Sequence, residues 1–170
     1  DFDNQLAGNA AANPVNIADD PGASTLHGSN SADTIHAGNG SDTVYGHDGD
    51  DQIFGEGASD TSLYGQRGND TISGGVGADT IYGGSGDDIL YGYQAPANAT
   101  DNQDNSDTIY GGSGNDSLFG QTNNDILIGG YGADQLTGAD GSDVFQYWSV
   151  NDAGDTITDF TQAGTNGNDS

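Results

Sequence analysis

The chain is poor in cysteine, in basic residues and in long apolar stretches. It has no cysteine, which excludes disulfides, zinc-thiolate sites and thiol nucleophiles. Arg67 is the one basic residue against 27 acidic ones, and the formal net charge is −26. Such a charge argues against nucleic acid or an anionic membrane as a partner. No apolar run approaches the roughly 20 residues of a membrane span, so no span is predicted.

Hydrophobic residues are also scarce, at 31% of the chain, so a globular core of ordinary thickness is not expected. The N-terminus lacks the basic and apolar parts of a cleavable signal peptide. A secreted chain would therefore need an export signal outside this segment. We expect the segment to be part of a larger protein.

Glycine and aspartate are abundant, and the two occur in a fixed frame. There are 30 glycines, and Glu56 is the one acid that is not aspartate. Residues 74–82 read GGVGADTIY, and residues 83–91 read GGSGDDILY. The glycines permit the backbone angles of a tight turn, and the aspartate supplies a hard anionic oxygen of the kind that Ca²⁺ prefers. The last three residues predict a short strand with its middle side chain inward.

This nine-residue frame recurs thirteen times between Asp19 and Gln146, and twelve units have aspartate at position six. All thirteen have an apolar residue at position eight: Leu26, Ile35, Val44, Ile53, Leu63, Ile72, Ile81, Leu90, Ile109, Leu118, Leu127, Leu136 and Phe145. A fixed short period predicts a solenoid. Two units close one coil, so alternate units stack into two parallel sheets around the position-eight residues. This core is too thin to hold so many ordered glycines, so metal must contribute much of the folding free energy.

The pattern G-G-x-G-x-D-x-U-x resembles the RTX (repeats-in-toxin) nonapeptide, and residues 19–146 are similar to the calcium-binding domains of that family. The resemblance implies an all-β fold, a right-handed parallel β-roll. It also implies that each Ca²⁺ lies between stacked turns, held by position-six aspartates and by turn carbonyls. One implied ladder is Asp33, Asp51, Asp70, Asp88, Asp116 and Asp134, and the other is Asp42, Asp60, Asp79, Asp107, Asp125 and Asp143. The implied carbonyls are those of Gly74, Gly75, Gly77, Gly83, Gly84, Gly86, Gly111, Gly112, Gly114, Gly129, Gly130 and Gly132. About ten ions is the expected ceiling.

The repeats depart from the regular frame at four places. An extra residue lies near Thr61–Ser62. Ala58 and Asn123 replace the second conserved glycine of their turns, where Asn tolerates a left-handed backbone and Ala does so poorly. Residues 94–105, QAPANATDNQDN, predict an exposed loop insertion, whose two aspartates could act as ligands although disorder of the loop is favoured.

Four further acids lie within turns and are expected to be solvated rather than to bind metal: Asp48, Asp50, Asp87 and Asp140.

Two segments without the repeat flank the roll. Residues 1–18 are predicted to be a linker or an N-terminal cap, and three of them could pair with a first strand: Leu6, Val15 and Ile17. Residues 147–170 are predicted to be a C-terminal capping segment, because GSDVFQYW followed by DTITDF resembles the closing segment after RTX rolls. We expect Phe145, Trp148 and Phe160 to cover the open end of the sheets. The aliphatic strand that usually follows in the family is missing, which suggests truncation.

No catalytic constellation is predicted, and the chain is not expected to be an enzyme. His27 and His36 occupy outward position nine on opposite sheets, and His47 lies in a turn. They are not spaced like a metal-ligand triad and are interpreted as surface residues. No nucleophile elbow, HExxH motif or phosphate loop is present. An aspartate neutralised by calcium is a poor acid or base.

One sheet is predicted to carry two outward columns. The first is Tyr45, Tyr64, Tyr82 and Tyr110, and the second is Thr43, Thr61, Thr80 and Thr108. Cross-strand stacking on a pleated surface explains both, and a binding face for glycan or ice is the alternative. Within the turns of the repeats, the Thr-x-Asn pair of ice-binding RTX adhesin domains occurs only at Thr122 and Asn124, so ice binding is not expected.

The leading hypothesis is a non-catalytic Ca²⁺-binding module of a large adhesin that a Gram-negative bacterium secretes through a type I secretion machinery. Such a module is disordered without calcium and folds outside the cell or at its surface, which assists secretion. The alternative is an accessory module of a secreted enzyme, such as a serralysin-like protease or an alginate epimerase. A glycan-binding face on the roll is a third possibility.

Overall fold

The computed structural model describes residues 16–17, 22–60, 62–93, 105–148 and 154–160, and its regular elements are all β-strands. The odd-numbered strands form one sheet of eight: β1 Asn16–Ile17, β3 Thr34–His36, β5 Gln52–Phe54, β7 Thr71–Ser73, β9 Ile89–Tyr91, β11 Ser117–Thr122, β13 Gln135–Asp140 and β15 Thr156–Ile157. The even-numbered strands form a sheet of seven: β2 Thr25–His27, β4 Thr43–Asp48, β6 Ser62–Arg67, β8 Thr80–Ser85, β10 Thr108–Ser113, β12 Ile126–Tyr131 and β14 Val144–Phe145. No helix that could cross a membrane occurs in the described part of the chain.

Every strand pairs in parallel with the strand two further along the chain, as a two-unit coil predicts. The all-β fold with two parallel sheets is therefore confirmed. Several strands run six residues, because the pairing continues from positions seven to nine into the first three positions of the next unit. The chain thus stays hydrogen-bonded around part of each turn, beyond the short strands that the sequence predicted.

The core is a single layer between the two sheets. All thirteen position-eight residues are buried, from Leu26 at one end to Phe145 at the other. Their neighbours at positions seven and nine point outward because side chains alternate along a strand. The thin core that the sequence predicted is confirmed.

The extra residue near position 61 shifts the predicted threonine column. Thr43 pairs with Ser62, and Val44 pairs with Leu63. Thr61 itself lies outside the described residues. The prediction that Thr61 continues the column is wrong, because burial of Leu63 fixes the register and places Ser62 opposite Thr43.

Both flanking segments contribute a strand. Ile17 pairs with Ile35, and Ile157 pairs with Leu136 and packs against the core. Leu6, Val15 and residues 161–170 lie outside the described part. So do residues 94–104 of the predicted loop, on either side of which Tyr82 and Tyr110 remain in register.

The C-terminal aromatics occupy two different places. Phe145 is 7% exposed, and Phe160 lies against it at a ring-centroid distance of 6.3 Å, at the end of the core. Trp148 is 66% exposed and lies beside Tyr110 on the outer face of the second sheet. The prediction that Trp148 covers the open end of the sheets is therefore wrong. Its ring has an aromatic neighbour on the outer face, which the repeat frame does not indicate.

Candidate metal centre

The twelve position-six aspartates lie inside the roll, none of them more than 3% exposed. Each follows a turn and precedes a strand, so its side chain folds back beneath the turn. This burial is unusual, because an aspartate is rarely buried unless it is paired or binds a cation.

The buried aspartates form two ladders along the roll. In each ladder the backbone N–H of one aspartate donates to Oδ1 of the aspartate in the next coil, at 2.7–2.9 Å. The first joins Asp33, Asp51, Asp70, Asp88, Asp116 and Asp134, and the second joins Asp42, Asp60, Asp79, Asp107, Asp125 and Asp143. The structure thus brings the predicted ligands together in the two predicted series.

The second carboxylate oxygen is placed differently from the first. Oδ2 of Asp51, Asp60, Asp70, Asp88 and Asp116 is buried and has no hydrogen-bond partner. A Cβ added at Gly83 would clash with Asp88 Oδ2 and lie 2.7 Å from the carbonyl oxygen of Gly111. Asp88 Oδ2 and the Gly111 carbonyl oxygen therefore converge on a space that stays open only because residue 83 is a glycine.

Backbone carbonyls complete the same gap between two coils. The carbonyl oxygen of Gly84 lies against Gly112, and that of Gly86 lies against Gly114, in the following coil. The Gly111 carbonyl is directed the opposite way, toward Gly83. Three carbonyl oxygens thus point into the space between these two coils, and Asp88 Oδ2 lies near one of them, that of Gly111.

Five other predicted carbonyls, those of Gly74, Gly83, Gly112, Gly114 and Gly129, also face a glycine of a neighbouring coil. Gly129 faces Gly111, and the carbonyls of Gly112 and Gly114 face Gly130 and Gly132. At the other end, Gly75 and Gly77 contact the carbonyls of Glu56 and Ala58, while the Gly74 carbonyl faces Gly55. The regular stacking repeats the same arrangement from coil to coil.

The donor atoms in these gaps suit calcium. All of them are carboxylate or carbonyl oxygens, which Ca²⁺ prefers over nitrogen or sulfur. No group of three acidic, histidine or cysteine side chains that could hold a metal occurs among the described residues. A site with two carboxylates must therefore be completed by the backbone, as the converging carbonyls allow.

Positive charge is missing from the ladders themselves. Burial raises the pKa of Asp51, Asp88 and Asp116 to about 7, and repulsion by ladder neighbours adds to the shift, while a backbone hydrogen bond opposes it. The same causes raise the pKa of Asp60 to about 8, and burial raises that of Asp70 to about 6. Arg67 is exposed and pairs with Asp48 at 3.1 Å, so it cannot neutralise the ladders. Bound cations would supply the charge that the chain lacks.

Asp155 continues the first ladder, which the sequence analysis missed. The Asp134 N–H donates to Asp155 Oδ1 at 3.0 Å, and Asp155 Oδ2 is buried without a partner. Asp159 accepts from the N–H groups of Gly138 and Ala139 at 3.1 and 2.6 Å. The signal was present, because Asp155 precedes Ile157 by the same two residues that separate positions six and eight.

Two turn acids that were expected to be merely solvated make ordered contacts. Asp50 Oδ1 accepts from the Asn69 N–H at 2.8 Å, and Asp87 Oδ1 accepts from the Asn115 N–H at 2.7 Å. The Asp87 N–H in turn donates to Asn69 Oδ1. Position five thus forms an outer ladder whose bonds run in the direction opposite to those of position six. Asp48 pairs with Arg67, and Asp140 is exposed.

The substituted turns keep the left-handed backbone that glycine normally supplies. Ala58 has φ of 68° and Asn123 has φ of 76°. Five position-two residues, which the sequence analysis did not single out, also have positive φ: His47, Glu56, Gln66, Gln121 and Ala139. The register of the stack imposes this geometry whatever the residue.

Each histidine contacts a side chain of another coil, and two of them, His27 and His47, contact each other. His27 Nδ1 lies 3.1 Å from His47 Nε2, and His36 Nδ1 lies 2.5 Å from Glu56 Oε1. His27 and His36 do lie on opposite sheets, as predicted.

Comparison with known proteins agrees with the site geometry. The model of the RTX calcium-binding nonapeptide repeat matches the chain in four copies, at residues 21–61, 63–94, 103–130 and 119–153. Together the copies cover well over half of the chain. Neither a curated protein nor a solved structure matches it.

Proposed function

The chain belongs to the family of RTX calcium-binding nonapeptide repeat proteins and is a Ca²⁺-binding module, and we propose that it acts as a calcium-gated folding segment of a large secreted bacterial adhesin. The adhesin is exported by a type I secretion machinery of a Gram-negative bacterium and works outside the cell. The module is non-catalytic, because its buried carboxylates are committed to the ladders. The ladder carboxylates and the turn carbonyls would hold calcium, which would supply the positive charge that they lack.

The observation that carries the proposal is the set of buried carboxylate oxygens without a hydrogen-bond partner, as in Asp51, Asp70 and Asp88. An ionised group that is buried without a counter-charge is strongly destabilising. These three aspartates stand in consecutive coils of one ladder, so their charges also repel one another. Folding therefore depends on a cation that the chain itself cannot replace.

This dependence makes folding responsive to location. Where calcium is scarce, as in the cytosol, the aspartates stay in water and the chain remains extended, which suits passage through an export channel. Where calcium is abundant, outside the cell, the roll becomes the stable state. A segment that has folded outside cannot slide back, so its folding favours further export.

The test of gated folding is a calcium titration followed by far-ultraviolet circular dichroism. With EGTA the spectrum should be that of a disordered chain, and Ca²⁺ should restore the β signal cooperatively because neighbouring coils share ligands. Mg²⁺ should substitute poorly, since it requires tight octahedral geometry and loses its water reluctantly. A chain that is equally folded in chelator would refute the proposal.

The export role needs a separate measurement on the parent protein. Changing ladder aspartates such as Asp70 and Asp88 to asparagine should lower the secreted amount at constant expression. The same change at Asp50 and Asp87 removes equal formal charge outside the ladder and serves as the control. Equal secretion of both variants would contradict the role in export while leaving calcium binding in place.

A further inference from the structure

A column of stacked aromatic rings runs along the outer face of the second sheet. Tyr45, Tyr64, Tyr82 and Tyr110 occupy position nine of successive coils, with centroid distances of 5.0, 4.8 and 4.7 Å and nearly parallel planes. His27 extends the column beyond Tyr45 at 4.8 Å. In the coil after Tyr110, however, the register partner is Ile128, so the column of large rings stops there.

A cavity of about 400 Å³ lies where the column stops. It is lined by Tyr82, Tyr110, Ile128, Tyr131 and Trp148, with the backbone of three glycines. Ile128 is shorter than the tyrosines before it and leaves space that the Trp148 ring borders, tilted by 57° against Tyr110. We call this cavity the aromatic pocket. No ladder aspartate lines it, although its three glycines, Gly112, Gly129 and Gly130, are among those predicted to offer carbonyls to calcium.

Two of the lining side chains are strongly exposed for their type. Tyr131 is 60% exposed and Trp148 is 66% exposed, so burial in the core does not account for their being large and aromatic. Exposed apolar groups gathered around a concavity are typical of binding sites. A ligand is therefore a better explanation of this cluster than folding.

The chemistry of the lining narrows the class of ligand. Tyrosine hydroxyls and the Trp148 indole N–H are the side-chain hydrogen-bonding groups that border the pocket, and no carboxylate, amide or basic side chain does so among the described residues. A sugar has more hydroxyl groups than these few side-chain groups could pair, so several would lose water without gaining a partner. A ligand group without hydrogen-bond donors or acceptors fits the lining better.

The charge of the chain narrows the class further. The formal net charge is −26, and about ten Ca²⁺ would cancel about twenty of these charges. The calcium-loaded roll thus remains negative, and its field attracts cations and repels anions. Aromatic faces attract cations in addition, most strongly when the cation is poorly hydrated.

We propose that the aromatic pocket binds a quaternary ammonium group. A trimethylammonium head carries positive charge, has no hydrogen-bond donor or acceptor to leave unpaired, and is recognised by groups of aromatic rings. Such a group occurs on small soluble molecules and on lipid headgroups of the phosphocholine type. The proposal uses the folded roll but does not depend on a role in export.

The emission of Trp148, the single tryptophan of the chain, reports directly on the pocket. Calcium-loaded protein is titrated with tetramethylammonium and with choline, and then with 3,3-dimethylbutan-1-ol, which has the shape of choline without its charge. The two ammonium ions should bind at least about fivefold more tightly than the neutral alcohol, given the usual strength of cation–π contacts. Equal affinities would show a merely apolar pocket and would overturn the proposal.

Substitutions separate this pocket from other exposed aromatics. Tyr131→Ala should weaken choline binding at least about fivefold, and Tyr131→Phe should restore most of it. Tyr91→Ala is the control, because Tyr91 stacks on Phe119 on the opposite sheet and should leave binding unchanged. Circular dichroism in calcium verifies that each variant is folded. Loss of binding in both alanine variants, or in neither, would contradict the assignment.

Further titrations identify the source of the ligand. Cosedimentation with phosphatidylcholine vesicles, compared with phosphatidylethanolamine vesicles, shows whether a lipid headgroup enters the pocket. Response to free choline without vesicle binding indicates a soluble ligand. Response to neutral monosaccharides but not to choline, or no response to any ligand while the roll is folded, would overturn the proposal and leave calcium-gated folding untouched.

Discussion

Asp88→Asn changes a single buried atom of the first ladder in the middle of the roll. Asp88 Oδ1 accepts from the Asp70 N–H at 2.8 Å, and the asparagine oxygen can keep this bond. Asp88 Oδ2 is buried without a partner, close to Gly83 and to the Gly111 carbonyl. Its replacement by an amide NH₂ removes one negative charge and one oxygen ligand, with almost no change of volume.

The size of the effect follows from the number of gaps that Asp88 borders. A hydrogen bond or contact to a charged group is worth about 1.5–3 kcal/mol, and Asp88 lies between two gaps, so the loss is about 3–6 kcal/mol. If about ten ions bind in one transition, this free energy is divided by about ten times RT, which raises the calcium midpoint of folding by about two- to threefold. The shift is small per mutation because the transition is shared by many ions.

The matched control is Asp87→Asn, one residue earlier. Asp87 is exposed, and its Oδ1 accepts from the Asn115 N–H at 2.7 Å, a bond that asparagine retains. The formal charge removed is the same, but no buried ligand is lost, so the midpoint should stay or fall slightly as self-repulsion decreases. Calcium titrations followed by circular dichroism compare the two. Equal midpoints would show that bulk charge, and not the position-six ladder, drives folding.

Ala58→Gly should raise the free energy of unfolding in calcium by about 1 kcal/mol, because a Cβ at φ of 68° is unfavourable. The control is Ala78→Gly, at a residue without positive φ, which should lower the free energy of unfolding. Urea titrations of both variants measure the two changes, and the opposite order would refute the role of the backbone angle. Deleting ten of residues 94–104 should leave the calcium midpoint unchanged or slightly lower, since a long polar loop adds closure entropy; a marked rise would show that the loop binds metal or packs. Burial raises the pKa of Asp60 to about 8 and that of Asp88 to about 7. In metal-stripped protein the folded roll therefore binds more protons than the unfolded chain between about pH 4 and about pH 8. Its free energy of unfolding should fall as the pH rises through this range. β signal by circular dichroism should thus be greater near pH 5 than near pH 8. A signal that is greater near pH 8 would contradict the burial of these carboxyls.

The core and the two ladders could be predicted from the sequence because both depend only on spacing. One apolar residue in each nine-residue unit faces inward, so Ile72 and Ile81 could be placed without knowledge of anything distant in the sequence. At the extra residue near position 61 the frame alone was insufficient, since Thr61 and Ser62 both suit an outward strand position. The pairing of Leu63 with Val44 decides between them, and this pairing depends on the neighbouring coil and not on the spacing of the repeat.

Other features depend on how the coils meet and were missed for that reason. The outer ladder of Asp50, Asn69 and Asp87 needs the rise between coils to match the reach of a short side chain. The contact of Trp148 with Tyr110 joins a segment outside the repeat to the outer face, and no periodicity describes it. Asp155 could have been found, because its spacing from Ile157 repeats that of the roll.

All hydrogen bonds between position-six aspartates run in the same direction along the chain, so the two ends of the roll are not equivalent. Each coil offers an N–H, and only the coil after it in the chain brings the carboxylate that receives it, as Asp70 does for Asp51. The two ends of the first ladder are therefore chemically unlike: the N-terminal end is the Asp33 carboxylate, and the C-terminal end is the Asp134 N–H, which donates to Asp155. Each coil presents N–H groups whose acceptors lie in the following coil. The hydrogen bonding therefore gives the assembly of the roll a direction along the chain.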